Sequence, residues 1–274
     1  MHSAIAHKHY PRPPKGAKRP NKSTLARRCA APLHPLHAAA LAAPLPPAAD
    51  NSRHPDTDQG QTSSCTAHSL VKGIEICTGG RIKGSMHVLY SLTGVYEGEN
   101  PLADDGRQCT DCLAVAATQG VAPFEGPTSD GRNSDIDASN VTTAATGAEL
   151  AAAGANLVNF GGNSIDPADP NVSDLVASCI AAGGVVYLGT EVGQAFEQLA
   201  GATVAQPDPD PNDPNGGGHA LIITGYRTMA DGSRQFRVQN SWGETWDDDG
   251  ECWASLAWVQ ACWELHPLLP VAAP

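Results

Sequence analysis

The sequence predicts an α+β protein in which a helical half is followed by a half rich in β-strands. Apolar residues recur three and four positions apart in the first half, whereas short runs of Val and Ile between Gly, Pro and Asp mark the second. The chain begins differently, because residues 1–58 are rich in Pro, Ala, His and basic residues without an amphipathic period. We therefore expect an extended N-terminal arm over residues 1–54, followed by a folded domain over residues 55–274.

The helical lobe is expected over about residues 55–150 and contains three predicted helices. The apolar positions from Cys65 to Cys77 lie on one helical face, with Ser63 or Ser64 as the N-cap and a Gly79-Gly80 end. The other two helices are predicted at 85–96 and at 107–119, and Gly120 closes the last one.

The β-rich lobe is expected over about residues 151–266. A polar connection, residues 126–156, precedes it, and a short helix is predicted at 173–182. Strands are predicted at 185–188, 220–224 and 236–238, where Val and Ile are frequent.

Composition and charge limit the classes of protein to which the chain can belong. Its 274 residues, 41% of them hydrophobic, suffice for one sizeable core or two tightly joined lobes. No apolar run approaches the length of about 18 residues that a membrane span requires. Residues 1–49 hold eight basic residues and no acid, which leaves nine basic against 29 acidic residues in the remainder, a net charge of about −20.

This charge asymmetry predicts how the arm is used. The basic arm is expected to lie on the acidic body or on a protein assembly partner. Nucleic acid is not expected as a partner, because the body would repel phosphate.

The cysteines and acidic loops are expected to bind no metal or cofactor. Cys109 and Cys112 have the spacing of a redox or zinc pair, but they fall in a helical pattern without a second pair and are predicted to be ordinary buried thiols. The acidic stretches 208–213 and 247–249 are predicted to be solvated loops rather than calcium sites. Eight cysteines, one of them a candidate nucleophile, favour a reducing cytoplasm or a phage particle over secretion.

One constellation of residues indicates cysteine nucleophile chemistry. His219 follows a glycine tract and opens an apolar run, and Asn240 closes the next run 21 residues later, in Asn-Ser-Trp-Gly. Cys65 stands 154 residues before His219, at the start of a predicted helix. A cysteine nucleophile needs an imidazole base, and that base needs a side chain to orient it.

With Gln59-Gly60 and Cys65-Thr66-Ala67, these residues resemble the papain-like cysteine peptidases, most closely their bacterial and viral branch, over about residues 55–266. The resemblance implies a two-lobe fold in which the helical lobe carries Cys65 and the β-rich lobe carries His219 and Asn240. The stretch 62–66 differs at three of five positions from the plant and animal signature, and Thr62 removes a cysteine of a family disulfide. Residues 1–58 are too short and too proline-rich for the long helical propeptide of family zymogens, so any inhibition by the arm works in another way.

The resemblance also implies roles for five residues. Cys65 is the nucleophile, His219 its base, Asn240 the residue that orients the base, and Gln59 an oxyanion donor beside the Cys65 N–H. Trp242 shields the bond between His219 and Asn240 and is the one candidate for substrate contact. The helix N-terminus and a neighbouring imidazolium are expected to depress the pKa of Cys65.

The predicted activity is hydrolysis of peptide bonds in peptide or protein substrates through an acyl-enzyme on Cys65, with no cofactor. Two alternatives remain open at this stage. The same triad serves acyl transfer in other enzymes, and the basic Pro-rich arm also suits a structural or adhesive module, such as a phage virion component, built on a papain-like scaffold.

Overall fold

The structure, a computed structural model, consists of a helical lobe followed by a lobe built on a β-sheet. It describes residues 15–100, 102–128, 130–161, 163–201, 203–208, 210 and 213–271. The basic residues Lys8 and Arg12 of the predicted arm lie outside these ranges. Among the described helices, none combines the length and apolar character needed to cross a membrane. The α+β prediction is confirmed.

The arm contains regular structure that the sequence did not predict. Its elements are β1 (Ala17–Lys18), α1 (Lys22–Cys29), α2 (Pro35–Leu41) and β2 (Ala48–Asp50). The prediction of an extended conformation for this segment is therefore wrong for two helical stretches. His37 of α2 is fully buried, and its Nε2 lies 2.7 Å from the Leu175 carbonyl oxygen. Short helices of this kind depend on packing against the body, which local sequence does not report.

The helical lobe holds the three predicted helices and one more. Its elements are α3 (Cys65–Cys77), α4 (Met86–Tyr96), β3 (Arg107–Gln108), α5 (Cys109–Thr118) and α6 (Gly147–Gly154). The first two predictions are confirmed, and the third helix starts two residues late because Arg107 and Gln108 pair with the arm in a parallel ladder. Helix α6 lies in the predicted connection, where it starts at a capping box of Thr146 and Glu149.

The N-cap of α3 differs from the expected one in its hydrogen bonding. Ser64 occupies the N-cap position, but its side chain makes no capping bond. Its hydroxyl instead lies 2.6 Å from the Thr62 hydroxyl and 3.1 Å from Nδ1 of His68. The first backbone N–H groups of α3 are therefore not satisfied by a serine cap.

The β-rich lobe follows the predicted order with longer strands. Its elements are α7 (Val172–Ala181), β4 (Val185–Val192), α8 (Gln194–Glu197), β5 (Val204–Ala205), β6 (Gly217–Thr228), β7 (Arg234–Gln239), β8 (Glu251–Ser255), α9 (Leu256–Gln260) and β9 (Glu264–Leu268). The predicted helix corresponds to α7. The strand predicted at 185–188 is the first half of β4, and the other two predicted strands are the centres of β6 and β7.

Strand β6 lies inside the sheet of this lobe and pairs with β2, β4 and β7. The strands have the order β5-β8-β7-β6-β4-β9, and β2 of the arm pairs with β6 beyond the end of its ladder with β4. His219 is the third residue of β6, and Asn240 directly follows the last residue of the neighbouring β7. Because β6 and β7 are antiparallel, these two residues come to the same end of the sheet.

The two lobes join where α3 packs against the sheet. The Ser69 hydroxyl of α3 donates to the Ala220 carbonyl oxygen at 2.9 Å, and the Tyr187 hydroxyl of β4 donates to the Thr66 carbonyl oxygen at 3.1 Å. These buried bonds fix the first turn of α3 beside the start of β6.

Candidate active site

Cys65 is the first residue of α3 and is fully buried. Backbone groups of Ala220 in β6, Gly16 in the arm and Thr66 lower the pKa of its thiol, although burial raises that pKa by more. Ala220 directly follows His219 in β6, and its carbonyl oxygen accepts from Ser69 of α3. The predicted base and the predicted nucleophile thus stand at the junction where β6 meets α3.

One ring nitrogen of His219 forms a hydrogen bond to Asn240, and the other is available as a proton acceptor. Its Nε2 lies 2.8 Å from Oδ1 of Asn240, and since that oxygen can only accept, Nε2 carries the proton. In the described part of the chain, Nδ1 of this buried ring has no hydrogen-bond partner. The neutral ring therefore presents an unprotonated Nδ1, which is the form a general base requires.

Trp242 covers the bond between the base and its orienting residue. The indole stacks on the His219 ring with centroids 4.7 Å apart and planes 24° from parallel. Trp242 is itself buried and packs edge-on against Phe196 and Trp246. An apolar cover of this kind excludes water from the His219–Asn240 bond and so strengthens it.

Gln59 is fixed between the two lobes. Its side-chain oxygen accepts from the Ser241 hydroxyl at 2.7 Å, and its amide nitrogen donates to the Thr62 carbonyl oxygen at 2.7 Å. Its backbone N–H also donates to the Ser241 carbonyl oxygen at 2.9 Å. Ser241 was not singled out from the sequence, although it stands inside the Asn-Ser-Trp-Gly stretch.

Replacing Gln59 with alanine tests its predicted role as an oxyanion donor. We expect kcat to fall by about 10²-fold with little change in KM, because such a donor acts mainly in the transition state. Steady-state kinetics on a peptide substrate measure both constants. Ser241→Ala is the control, since it removes the contact that orients Gln59 but keeps the donor, and it should cost less. All variants are compared in a chain whose N-terminal arm has been displaced from the site. Equal kcat values for the Gln59→Ala variant and its parent would exclude Gln59 from the oxyanion site.

Comparisons with known proteins identify the fold. No family model and no curated protein matches the sequence. Among solved structures, the cysteine protease xylellain from Xylella fastidiosa superposes with a TM-score of 0.65 over 94% of this chain and 92% of its own, at 21% identity. The chain has the papain-like fold. A procathepsin B from Trypanosoma congolense matches with a TM-score of 0.63 and 16% identity, covering 94% of this chain and 87% of that one. Bromelain from Ananas comosus matches with a TM-score of 0.57 and 15% identity, covering 82% of this chain and 100% of that one.

The cleft of this papain-like fold is filled by the N-terminal arm. A β-carbon on Gly16 would overlap the Ser63 carbonyl oxygen, and one on Gly218 would overlap the Ala17 carbonyl oxygen. Gly16 and Ala17 are therefore clamped between the residue two before Cys65 and the residue before His219. The Gly16 carbonyl oxygen accepts from the Arg107 N–H at 2.8 Å. This part of the arm lies on the acidic body, as its charge predicted.

Burial gives the nucleophile the opposite pKa shift from the one that the sequence predicted, and it disfavours the imidazolium that was expected at the base. Loss of water raises the pKa of Cys65 to about 11, despite the backbone hydrogen bonds that favour its thiolate. Loss of water also lowers the pKa of His219 to about 4; the bond to Asn240 opposes that shift, and the nearby charge of Lys15 adds to it. The expected thiolate–imidazolium pair is thus wrong for the arm-bound state, in which both groups are neutral.

The cysteine pair and the acidic loops that the sequence analysis considered as metal sites are separate from this site. Cys109 and Cys112 are buried on α5, and all eight cysteines, which lie in described parts of the chain, are free thiols. Within the described residues, no group of three or more His, Cys, Asp or Glu side chains is arranged to hold a metal ion. Parts of the acidic loop 208–213 fall outside the described ranges.

Proposed function

We propose that the protein is a cysteine endopeptidase of the papain type, whose arm must leave the cleft before substrate enters. The observation that carries this proposal is the orientation of His219. Asn240 holds the proton on Nε2, which leaves Nδ1 as the proton acceptor at the junction where β6 meets the first turns of α3. A general base requires an unprotonated nitrogen, and Nδ1 of His219 has no hydrogen-bond partner among the described residues.

The proposed reaction proceeds in two halves. His219 takes the Cys65 proton, and the thiolate adds to the peptide carbonyl carbon. The Cys65 N–H and the Gln59 amide then donate to the resulting oxyanion. The carbon–nitrogen bond breaks as His219 returns the proton to the leaving amine, which leaves a thioester on Cys65. Water, deprotonated by His219, adds to the thioester and releases the carboxylic acid, and the thiol is restored.

The arm accounts for how such an enzyme is held inactive. Cys65 is fully buried with the arm in place, and the Gly16 carbonyl oxygen accepts from the Arg107 N–H. The arm therefore occupies the cleft without offering that carbonyl to the thiol. This contact also supports the alternative that the fold serves as a structural module, because the cleft is closed in the folded chain.

Hydrolysis of denatured casein in reducing buffer separates these functions. We expect the full chain carrying Gly16→Ala, which displaces the arm, to cleave casein and to be labelled at Cys65 by an epoxysuccinyl reagent before any other cysteine. Cys29, which is partly exposed on α1, provides an internal reference for nonspecific labelling. Cys65→Ser in the same background is the matched control and should be inactive.

Two results would count against the proposal. Absence of casein cleavage by an arm-displaced chain with an accessible Cys65 would favour the structural module. Transfer of an acyl group to an added amine in preference to water would favour acyl transfer.

A further inference from the structure

The arm segment in the cleft has the sequence Lys-Gly-Ala-Lys-Arg, and each of its basic side chains meets an acid on the cleft wall. Lys15 pairs with Glu197 of α8, Lys18 with acids of the helical lobe, and Arg19 with Glu191 of β4. These acids belong to the body and remain when the arm leaves. Without the arm, the cleft therefore presents these negative charges to another peptide.

The site occupied by Lys15 is the most enclosed of the three. Its Nζ lies 2.6 Å from Oε1 of Glu197, and the two side chains are 9% and 13% exposed. The same Nζ donates to the Asn215 carbonyl oxygen. A β-carbon on Gly217 would come within 2.9 Å of the Lys15 stem, so the absence of a side chain there makes room for it. A long cationic side chain fits this space, and a neutral one would leave Glu197 without its partner.

The sites occupied by Lys18 and Arg19 lie on the other side of Gly16 and Ala17. Lys18 Nζ binds Glu99 and lies 3.6 Å from Asp105 and 4.0 Å from Glu97. Arg107 of the body shares Asp105, at 2.7 Å, so these acids are partly neutralised without the arm.

Arg19 has partners of two kinds. Its Nη2 lies 2.7 Å from Glu191, and its guanidinium lies 4.5 Å above the Trp263 ring. A planar cation over an aromatic face is a contact that a neutral side chain does not replace.

We propose that the cleft selects peptides that carry Lys or Arg on both sides of two small residues, in the spacing of the arm segment itself. Small residues are required in the middle because Ser63 and Gly218 leave no room for side chains on the chain between them. The proposal rests on the proposed peptidase function and gives its substrate class as cationic peptides. The net charge of about −20 after residue 49 would also attract such peptides over longer distances.

Binding of short peptides tests this selection without requiring catalysis. The protein is the full chain with Gly16→Ala and Cys65→Ser, and the probes are acetyl-Lys-Gly-Ala-Lys-Arg-amide, its reversed sequence, and versions with Gln at every basic position. We expect a basic peptide, in at least one chain direction, to bind about tenfold or more tightly than its Gln version at low salt. High salt should reduce that difference.

The enclosed Lys15 site provides a double-mutant cycle. Glu197→Gln should weaken the binding of the peptide that begins with Lys by about tenfold. The binding of a peptide that begins with Gln should be nearly unchanged. Glu125→Gln is the matched control, because this exposed acid forms no ion pair with the described residues of the arm. Equal losses for both peptides, or for both protein variants, would overturn the assignment of Glu197.

A variant that carries Gly16→Ala and keeps Cys65 shows whether the cleft is open, because the alkylation rate of Cys65 depends on access to the cleft. If the cleft is open and basic peptides bind no better than Gln peptides, the selection is overturned, while casein cleavage would still support the peptidase. Selective binding without cleavage of any substrate retains the selection and overturns the peptidase. If Gly16→Ala leaves the cleft closed, Lys15→Gln, Lys18→Gln and Arg19→Gln together should open it, and unchanged Cys65 alkylation in that variant also overturns the selection.

Discussion

Replacing Gly16 with alanine is expected to increase the rate of Cys65 alkylation at pH 7 by about two orders of magnitude. The new methyl group would overlap the Ser63 carbonyl oxygen, which is backbone and cannot rotate away. The arm is the part that can move, so the clash should expel it from the cleft. Water then reaches Cys65, and its pKa falls from about 11 towards the ordinary value of about 8.5 or below.

The pH dependence of alkylation shows in which direction the arm shifts the pKa of Cys65. Only the thiolate reacts, so the rate rises with pH until the pKa of the thiol is passed. With the arm bound, the rate should increase about tenfold per pH unit between pH 7 and 9, because the pKa of Cys65 lies near 11. In the Gly16→Ala variant the rate should level off at a lower pH. Iodoacetamide modification followed by peptide mapping measures both profiles.

Gly154→Ala is the control for this substitution. Gly154 ends α6, has a negative backbone φ, and a β-carbon there would meet nothing within 4 Å. Its alkylation profile should match that of the unaltered chain. Fast alkylation of Cys65 in the unaltered chain with a plateau below pH 9 would show that the arm does not govern the thiol.

Replacing Asn240 with alanine should reduce kcat/KM of the arm-displaced enzyme by about 10²-fold or more, since a residue that fixes the tautomer of a catalytic histidine is worth up to about 10⁴. Without Oδ1 of Asn240, the proton of His219 is no longer held on Nε2, and part of the population carries it on Nδ1, where it blocks the base. The measurement is the pH profile of peptide hydrolysis, which should be bell-shaped for the unaltered site. Its two apparent pKa values belong to the coupled Cys65–His219 pair.

Conservative and structural controls distinguish orientation of the base from simple loss of stability. Asn240→Asp keeps an acceptor for Nε2–H and should recover much of the activity. Asn51→Ala removes two hydrogen bonds, to the Ile180 and Gly184 carbonyl oxygens at 2.8 Å, far along the sheet. It should lower the free energy of unfolding by about 1–3 kcal/mol without changing kcat. A similar kcat in the Asn240→Ala variant and the unaltered enzyme would remove Asn240 from the catalytic apparatus.

Patterns within short stretches of sequence determined the helical lobe and the central strands. The apolar face from Cys65 to Cys77 fixes α3, and the apolar runs after His219 and before Asn240 fix β6 and β7. The order of Gln59, Cys65, His219 and Asn240 also led to the residues of the candidate site, although their catalytic roles remain predictions. Helix α6 was readable from the capping box of Thr146 and Glu149 and was missed because its surroundings are polar.

Only the tertiary structure decided the course of the arm and the protonation of the site. The arm pairs with acids that are 79 to 182 residues away along the chain, and no local pattern encodes contacts of that range. The basic run from Lys15 to Arg19 around two small residues was visible, but its place in the cleft depends on the shape between Ser63 and Gly218. The pKa of Cys65 is raised where it was predicted to be depressed, and the pKa of His219 is lowered, because both depend on the exclusion of water, which the sequence does not specify.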